Sequence, residues 1–201
     1  MNEEVVLVPG LWMPAAAMAL IAARLRRAGF RTQSFAYSGR HPLEATIERL
    51  ARTVRERRVH FVGHSLGGVV IYDLLQSHGE IAAGRVVLLG APVAGCYAGR
   101  RLGGGALGRW MLGACAPRWE KRSARWERPE ALGVIAGTLP LGLGRALGAL
   151  PGENDGVVCT DETVVDGMSD RVLVREGHSM LAVSGRVAAL VAQFLRAGRF
   201  G

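Results

Sequence analysis

Short apolar runs recur along the chain, each bounded by glycine, proline or charge. The first, Glu4-Val5-Val6-Leu7-Val8, lacks polar alternation, as a parallel strand buried on both faces would. Further strands are expected at Arg31–Tyr37, Val59–Val62, Arg85–Leu89, Leu132–Gly137 and Arg171–Val174. Helical periodicity fills the gaps. Pro14 to Ala28 is alanine-rich and finishes in Arg24, Arg26 and Arg27, charges suited to a helix C-terminus, before Gly29. Leu43 to Arg58 places Leu43, Ile47, Leu50, Ala51 and Val54 on one face. Leu66 to Ser77 and Met180 to Arg196 complete the set. Strands alternating with helices at this spacing predict a three-layer α/β protein. Its sheet should be mostly parallel, of about six strands, with helices on both faces and right-handed crossovers. No repeat, low-complexity tract or linker divides the chain, so residues 1–201 are expected to form a single domain.

The alternation pauses between residues 93 and 129. This stretch is rich in glycine and arginine and holds Trp110, Trp119 and Trp126. It shows no strand pattern, and Leu102 to Cys115 reads as a helix broken by glycines. A long insertion of this composition is either a small lid or pocket wall, or a surface excursion covering the sheet edge.

Composition narrows the class. An apolar fraction of 49% suits a compact globular protein. The formal net charge of +8 comes almost wholly from arginine, since Lys121 is the single lysine. That charge raises anionic partners, although a solvated basic surface is the favoured reading of it. Cys96, Cys115 and Cys159 are far apart and odd in number, which argues against a disulfide framework and against a zinc site. The start, Met1-Asn2-Glu3-Glu4, is acidic where a signal peptide is basic. Pro9, Gly10 and Pro14 interrupt the apolar stretch from Val5 to Ala23, so strand-loop-helix describes it better than a membrane span. A cytoplasmic location is the default expectation.

One stretch carries chemistry. Val59-His60-Phe61-Val62 leads into Gly63-His64-Ser65-Leu66-Gly67, and a helix follows. A serine at such a strand-to-helix turn is strained and exposed, and glycines two before and two after let strand and helix pass. Ser65 is therefore the candidate nucleophile. The alternatives are an ordinary glycine-rich turn or a phosphate loop. Neither G-x-x-x-x-G-K-[ST] nor G-x-G-x-x-G occurs here.

A serine hydroxyl needs a positioned base, usually a histidine oriented by a carboxylate. In the α/β-hydrolase arrangement, which this elbow resembles, the three follow in the order Ser, Asp or Glu, His. His178, between Gly177 and Ser179 after the last strand, is the histidine in the eligible place. His41 precedes the nucleophile, His60 lies within its strand and His78 ends its helix. Strand geometry directs the adjacent His64 away from the serine's side. For the acid, Asp155 in the turn Asn154-Asp155-Gly156 is favoured. Glu153, Asp161, Glu162, Asp166 and Asp170 stay available. An oxyanion hole would use the amide of Leu66, next after the nucleophile, and that of Leu11, after Pro9-Gly10.

Taken together, Val8-Pro9-Gly10-Leu11-Trp12, the Gly63–Gly68 elbow, Gly90-Ala91-Pro92, Asn154-Asp155-Gly156-Val157-Val158 and Glu176-Gly177-His178-Ser179-Met180-Leu181 resemble the α/β-hydrolase family. The chain looks most like small bacterial esterases and lipases. By that likeness Ser65 is nucleophile, His178 general base and Asp155 acid, with Leu11 and Leu66 as oxyanion amides. The likeness implies neither metal nor organic cofactor. Many relatives carry His-Gly where this chain has Pro9-Gly10, and its short length leaves room for a small cap at most.

Hydrolysis of a carboxylic ester of a small molecule through an acyl-serine is the leading functional expectation. A thioesterase or acyltransferase acting on an acyl group held by an acidic carrier protein is the runner-up, motivated by the arginines between Arg100 and Arg128. A non-catalytic binder of nucleic acid or an anionic membrane surface rests on net charge alone. Nucleic-acid binding is disfavoured because no helix-turn-helix, aromatic-interleaved basic strand or zinc pattern is present.

Overall fold

The structure is a computed structural model that describes residues 3–113, 119–120, 122–141 and 150–201. Six strands, β1 (Glu4–Val8), β2 (Arg31–Ser34), β3 (Val59–His64), β4 (Ala83–Leu89), β5 (Leu132–Gly137) and β6 (Asp170–Val174), form one sheet in the order β2-β1-β3-β4-β5-β6. Every neighbouring pair is parallel. The sheet therefore reverses its direction of growth between β1 and β3. Ligands of open α/β sheets bind at such a point, beyond the C-terminal strand ends.

The absence of alternation in β1 has a direct structural cause. Val6 and Val8 pack on one face of the sheet with α2 (Leu43–Val54) and α3 (Leu66–Ser77). Val5 and Leu7 pack on the other with α1 (Ala19–Arg27) and α6 (Gly185–Ala197). Successive side chains point to opposite faces, and both faces are covered, so both must be apolar. β2 is the exception. It is an edge strand with no fully buried residue, and pairing ends at Ser34 rather than at Tyr37.

Several element boundaries differ from the sequence pattern, and each difference has a local reason. The first helix begins as a 3-10 turn at Ala15–Met18 after Pro14. The expected Met180–Arg196 helix splits into a 3-10 turn at His178–Ala182 and α6, whose N-cap Ser184 accepts from the Val187 amide. Among the described residues between 93 and 129 there are two short helices, α4 (Tyr97–Gly103) and α5 (Ala106–Leu112), separated by Gly104 and Gly105. Cys115, the expected end of one longer helix, lies outside the described residues.

Much of the basic charge in this insertion is turned inward. Arg100 donates to the Trp119 carbonyl at 3.0 Å and Arg122 to that of Val93 at 2.6 Å. Arg128 donates to the carbonyls of Leu75, His78 and Ile81 while pairing with Glu130 at 2.8 Å. Arg128 thereby staples the insertion to α3 and its following loop, whereas the carbonyl contacts of Arg100 and Arg122 tie the insertion to itself. Arg101, Arg109 and Arg125 remain exposed. Among the described residues no helix is long and apolar enough to cross a membrane.

Candidate active site

The turn between β3 and α3 sets the site. Ser65 is the N-cap of α3 with φ 53° and ψ −126°, one of two described non-glycine residues with positive φ. A side chain in this region is strained and needs surrounding structure to hold it. Here the Ser65 amide donates to the Leu89 carbonyl of β4 at 2.9 Å. The flanking glycines are required by contact. A Cβ on Gly67 would overlap the carbonyls of Val8 and Pro9, and one on Gly63 would lie 2.5 Å from the Gly68 Cα. Close passage of strand, helix and the loop after β1 is what this spacing of glycines permits.

The structure brings Ser65, His178 and Asp155 into one hydrogen-bonded line. Ser65 Oγ lies 2.9 Å from His178 Nε2, and His178 Nδ1 lies 2.7 Å from Asp155 Oδ2. Asp155 is 1% exposed and its other oxygen, Oδ1, accepts from the amides of Val157 at 3.0 Å and Val158 at 2.8 Å. A carboxylate so placed accepts a proton-bearing Nδ1, leaving Nε2 of a neutral ring as the acceptor that faces the serine hydroxyl. The His178 amide also donates to the Asp155 carbonyl at 2.9 Å. Asp155 thus holds residue 178 by both ring and backbone. Asn154 builds the turn itself, its side-chain oxygen accepting from the Gly156 amide at 3.0 Å.

Three of the other acids serve elsewhere. Glu162 accepts from the amides of Cys159 and Tyr97, and burial raises its carboxyl above the ordinary range. Asp170 accepts from the Phe200 amide, and Asp166 faces Arg125. Among the remaining histidines, His60 accepts from the Arg85 amide at 2.7 Å and lies 3.3 Å from Glu3, while His78 meets Glu48.

The loop after β1 closes on the serine. A Cβ on Gly10 would sit 3.1 Å from Ser65 Cβ and 3.0 Å from His64 Nδ1, so the backbone of this loop approaches the Ser65 turn at glycine distance. Tyr37 fixes the loop by donating to the Pro9 carbonyl at 2.9 Å. The amides of Leu11 and Leu66 have no acceptor among the described residues. Leu11 lines the pocket that opens at Ser65, and Leu66 is the first residue of α3, directly after Ser65.

Beside Ser65 is a pocket of about 320 Å³ whose walls include Leu11, Met13, Cys96, Leu102, Leu112 and Trp119. Four of these six come from the 93–129 insertion. Apart from the groups around Ser65 the lining is apolar, so water inside it is poorly bound and an apolar chain would be favoured there. Burial pushes the Cys96 thiol up to about 12, so it stays protonated in this wall.

Two contributors were not apparent from the sequence. Gly90, in a left-handed conformation with φ 52°, leaves space beside the line: a Cβ there would lie 3.0 Å from Asp155 Oδ2 and 3.3 Å from His178 Nδ1. Its signal was present in Gly90-Ala91-Pro92 at the end of β4. His64 was expected to point away from the serine's side, yet its ring packs 4.8 Å from that of His178 and its Nε2 lies 2.9 Å from the His178 carbonyl. The tight turn explains the difference. Strand alternation stops applying where the backbone bends at Ser65.

A parallel sheet with an elbow serine, a buried acid and a loop histidine at its C-terminal edge defines a class of hydrolase-like α/β proteins. The chain belongs to the alpha/beta hydrolase family, whose sequence model matches residues 5–197. No curated protein sequence matches it. Among solved structures it is similar to the mature form of a lipase from Bacillus licheniformis, at 16% identity and a TM-score of 0.69 over 98% of this chain and 92% of that one. It is also similar to a pyrethroid hydrolase from Sphingobium faniae, at 14% identity and a TM-score of 0.64 over 98% of each chain. An extracellular α/β-hydrolase from a Paenibacillus species gives 15% identity and a TM-score of 0.59 over 96% of this chain and 98% of that one.

Proposed function

We propose that the protein hydrolyses carboxylic esters through an acyl-serine intermediate. The observation that carries this reading is the Ser65–His178–Asp155 line, with contacts of 2.9 and 2.7 Å. In this reading His178 Nε2 takes the Ser65 proton as Oγ attacks the ester carbonyl, and Asp155 stabilises the imidazolium that forms. The tetrahedral oxyanion is held by the Leu11 and Leu66 amides, which is consistent with neither N–H having an acceptor among the described residues. Collapse expels the alcohol, protonated by His178, and leaves Ser65 acylated. Water, deprotonated by His178, then releases the acid and restores the serine. The names of the structural neighbours, a lipase and a pyrethroid hydrolase, are in keeping with ester substrates.

The apolar pocket supports an apolar group on one side of the ester bond, with the 93–129 insertion serving as its wall. The test is a chain-length series of p-nitrophenyl esters combined with mass-spectrometric mapping of a fluorophosphonate adduct. Turnover with the adduct on Ser65 is expected. A folded protein that neither hydrolyses these esters nor reacts with the probe overturns the proposal.

A further inference from the structure

We propose that His64 is a positioning residue for the base. Its Nε2–H holds the carbonyl of His178 and thereby the loop that presents the imidazole to Ser65. The proposal rests on the hydrolase reading above.

The tautomer follows from the partner. A carbonyl oxygen can only accept, so the nitrogen 2.9 Å from the His178 carbonyl must carry a hydrogen. His64 Nδ1 then bears the lone pair, and this atom is buried with no hydrogen-bond partner among the described residues. It faces the Gly10 backbone, where even a methyl group would come within 3.0 Å. One side chain at the end of β3 therefore touches both loops that converge on Ser65. The unpartnered Nδ1 carries a desolvation cost that a carbon ring would avoid. A histidine kept here despite that cost has its use in Nε2–H.

Residue 178 is consequently gripped at three points: its amide by the Asp155 carbonyl, its Nδ1 by the Asp155 carboxylate, and its carbonyl by His64. The third ties it to the same strand that ends in the nucleophile, so base and serine share one rigid frame. The arrangement also requires a neutral His64. During acylation His178 becomes positive with its ring 4.8 Å away, and a second cation at that distance would oppose the step. The titratable groups facing His64 are His178 and Asp155. Complete burial, with the adjacent His178 as the next cause, pushes His64 down to about 3, so it stays uncharged while His178 cycles.

Two variants and one measurement on the unaltered protein test this. His64→Phe keeps a ring and removes the donor. His64→Gln keeps an N–H able to reach the same carbonyl. For His64→Phe, kcat on a soluble short-chain ester should fall about 100-fold with KM little changed, the cost of a misplaced catalytic group. His64→Gln should recover most of that loss. Nitrogen NMR of the wild-type histidines should show His64 as the neutral Nε2–H form throughout pH 5 to 8, whatever the substrate. Wild-type kcat in a folded His64→Phe protein, equal losses in both variants, or a His64 ring that titrates within that range would each overturn the proposal. If His64→Phe does not fold, the glutamine variant and the NMR signal still decide it. A wild type unreactive toward the fluorophosphonate probe counts against ester hydrolysis alone, because the NMR result needs no turnover.

Discussion

Ser65 Oγ and His178 Nε2 stand 2.9 Å apart although 113 positions separate them in the chain. The contact depends on two independent supports, the strained turn of Ser65 and the grip of Asp155 on residue 178. Ser65→Ala or His178→Ala should therefore lower kcat on the order of 10⁶-fold, as loss of a group acting within a unit does. Asp155→Asn should cost about 10⁴-fold, because an amide NH₂ opposite Nδ1 forces the wrong tautomer. Steady-state kinetics on p-nitrophenyl butyrate read both effects. Losses of merely a few-fold in the Ser65→Ala protein would contradict the assigned nucleophile.

The elbow glycines make a separate prediction about stability. Gly67 lies where the Val8 and Pro9 carbonyls cross the start of α3, and both are backbone atoms that cannot rotate away. Gly67→Ala should cost about 3 kcal/mol through overpacking and shift the turn that carries Ser65. Urea unfolding would show the lower midpoint, and unchanged stability would mean that the loop after β1 moves easily. Gly29 provides the contrast within the same experiment. It has φ 94° but nothing within 4 Å of a Cβ, so Gly29→Ala carries conformational strain without a clash.

These two relationships differ in how visible they are before folding. The elbow is legible because its geometry is local: strand, turn and helix each leave a pattern within a few residues. The parallel sheet is legible for a similar reason, since β1 and β3 to β5 are buried on both faces and read as unbroken apolar runs. Ser65, His178 and Asp155 could be singled out by order along the chain. What the order could not supply was the selection among neighbours. Asp155 and Glu162 are seven positions apart and both carboxyls are well enclosed, yet one accepts from His178 and the other from two backbone amides. The directions of the arginine side chains were not legible either. As residue types Arg100, Arg122 and Arg128 suggest an anionic partner, whereas their donors are aimed at carbonyls of their own chain. Side-chain direction at these sites is fixed by tertiary packing, which leaves no periodic trace.

Trp119 links the insertion to the pocket. Its indole packs over Gly99 of α4, where a Cβ would come within 2.6 Å, and its Nε1 is buried with no partner among the described residues. Replacing it with Phe removes an unpaired donor and so loses no hydrogen bond. Trp119→Phe should therefore be far milder than Trp119→Ala, which should cost about 3–5 kcal/mol by leaving a cavity. On the ester series, Trp119→Ala should shift preference toward longer or bulkier acyl groups because this residue closes part of the pocket. Equal destabilisation by Phe and Ala would show that Nε1 has a partner after all.

Acid should weaken the fold through His64. In the unfolded chain this histidine protonates near 6.5, whereas in the folded protein it resists protonation until about 3. Above pH 6.5 neither state carries the proton and the stability is intact. As pH falls below 6.5 the unfolded chain binds a proton that the native state refuses, so stability is lost progressively toward the folded value. Each unit in that window is worth about 1.4 kcal/mol, so about 2–3 kcal/mol should be gone by pH 4.5 from this residue. His60, also lowered chiefly by burial, acts in the same direction, and half-buried Glu162, whose carboxyl is raised, acts in the opposite one. The clean readout is therefore a comparison. Urea midpoints of wild type and His64→Gln, measured from pH 7.5 to 4.5, should converge as the pH falls, because glutamine does not titrate. Parallel curves would show that His64 accepts its proton normally in the folded state, and would remove the neutral neighbour that His178 requires.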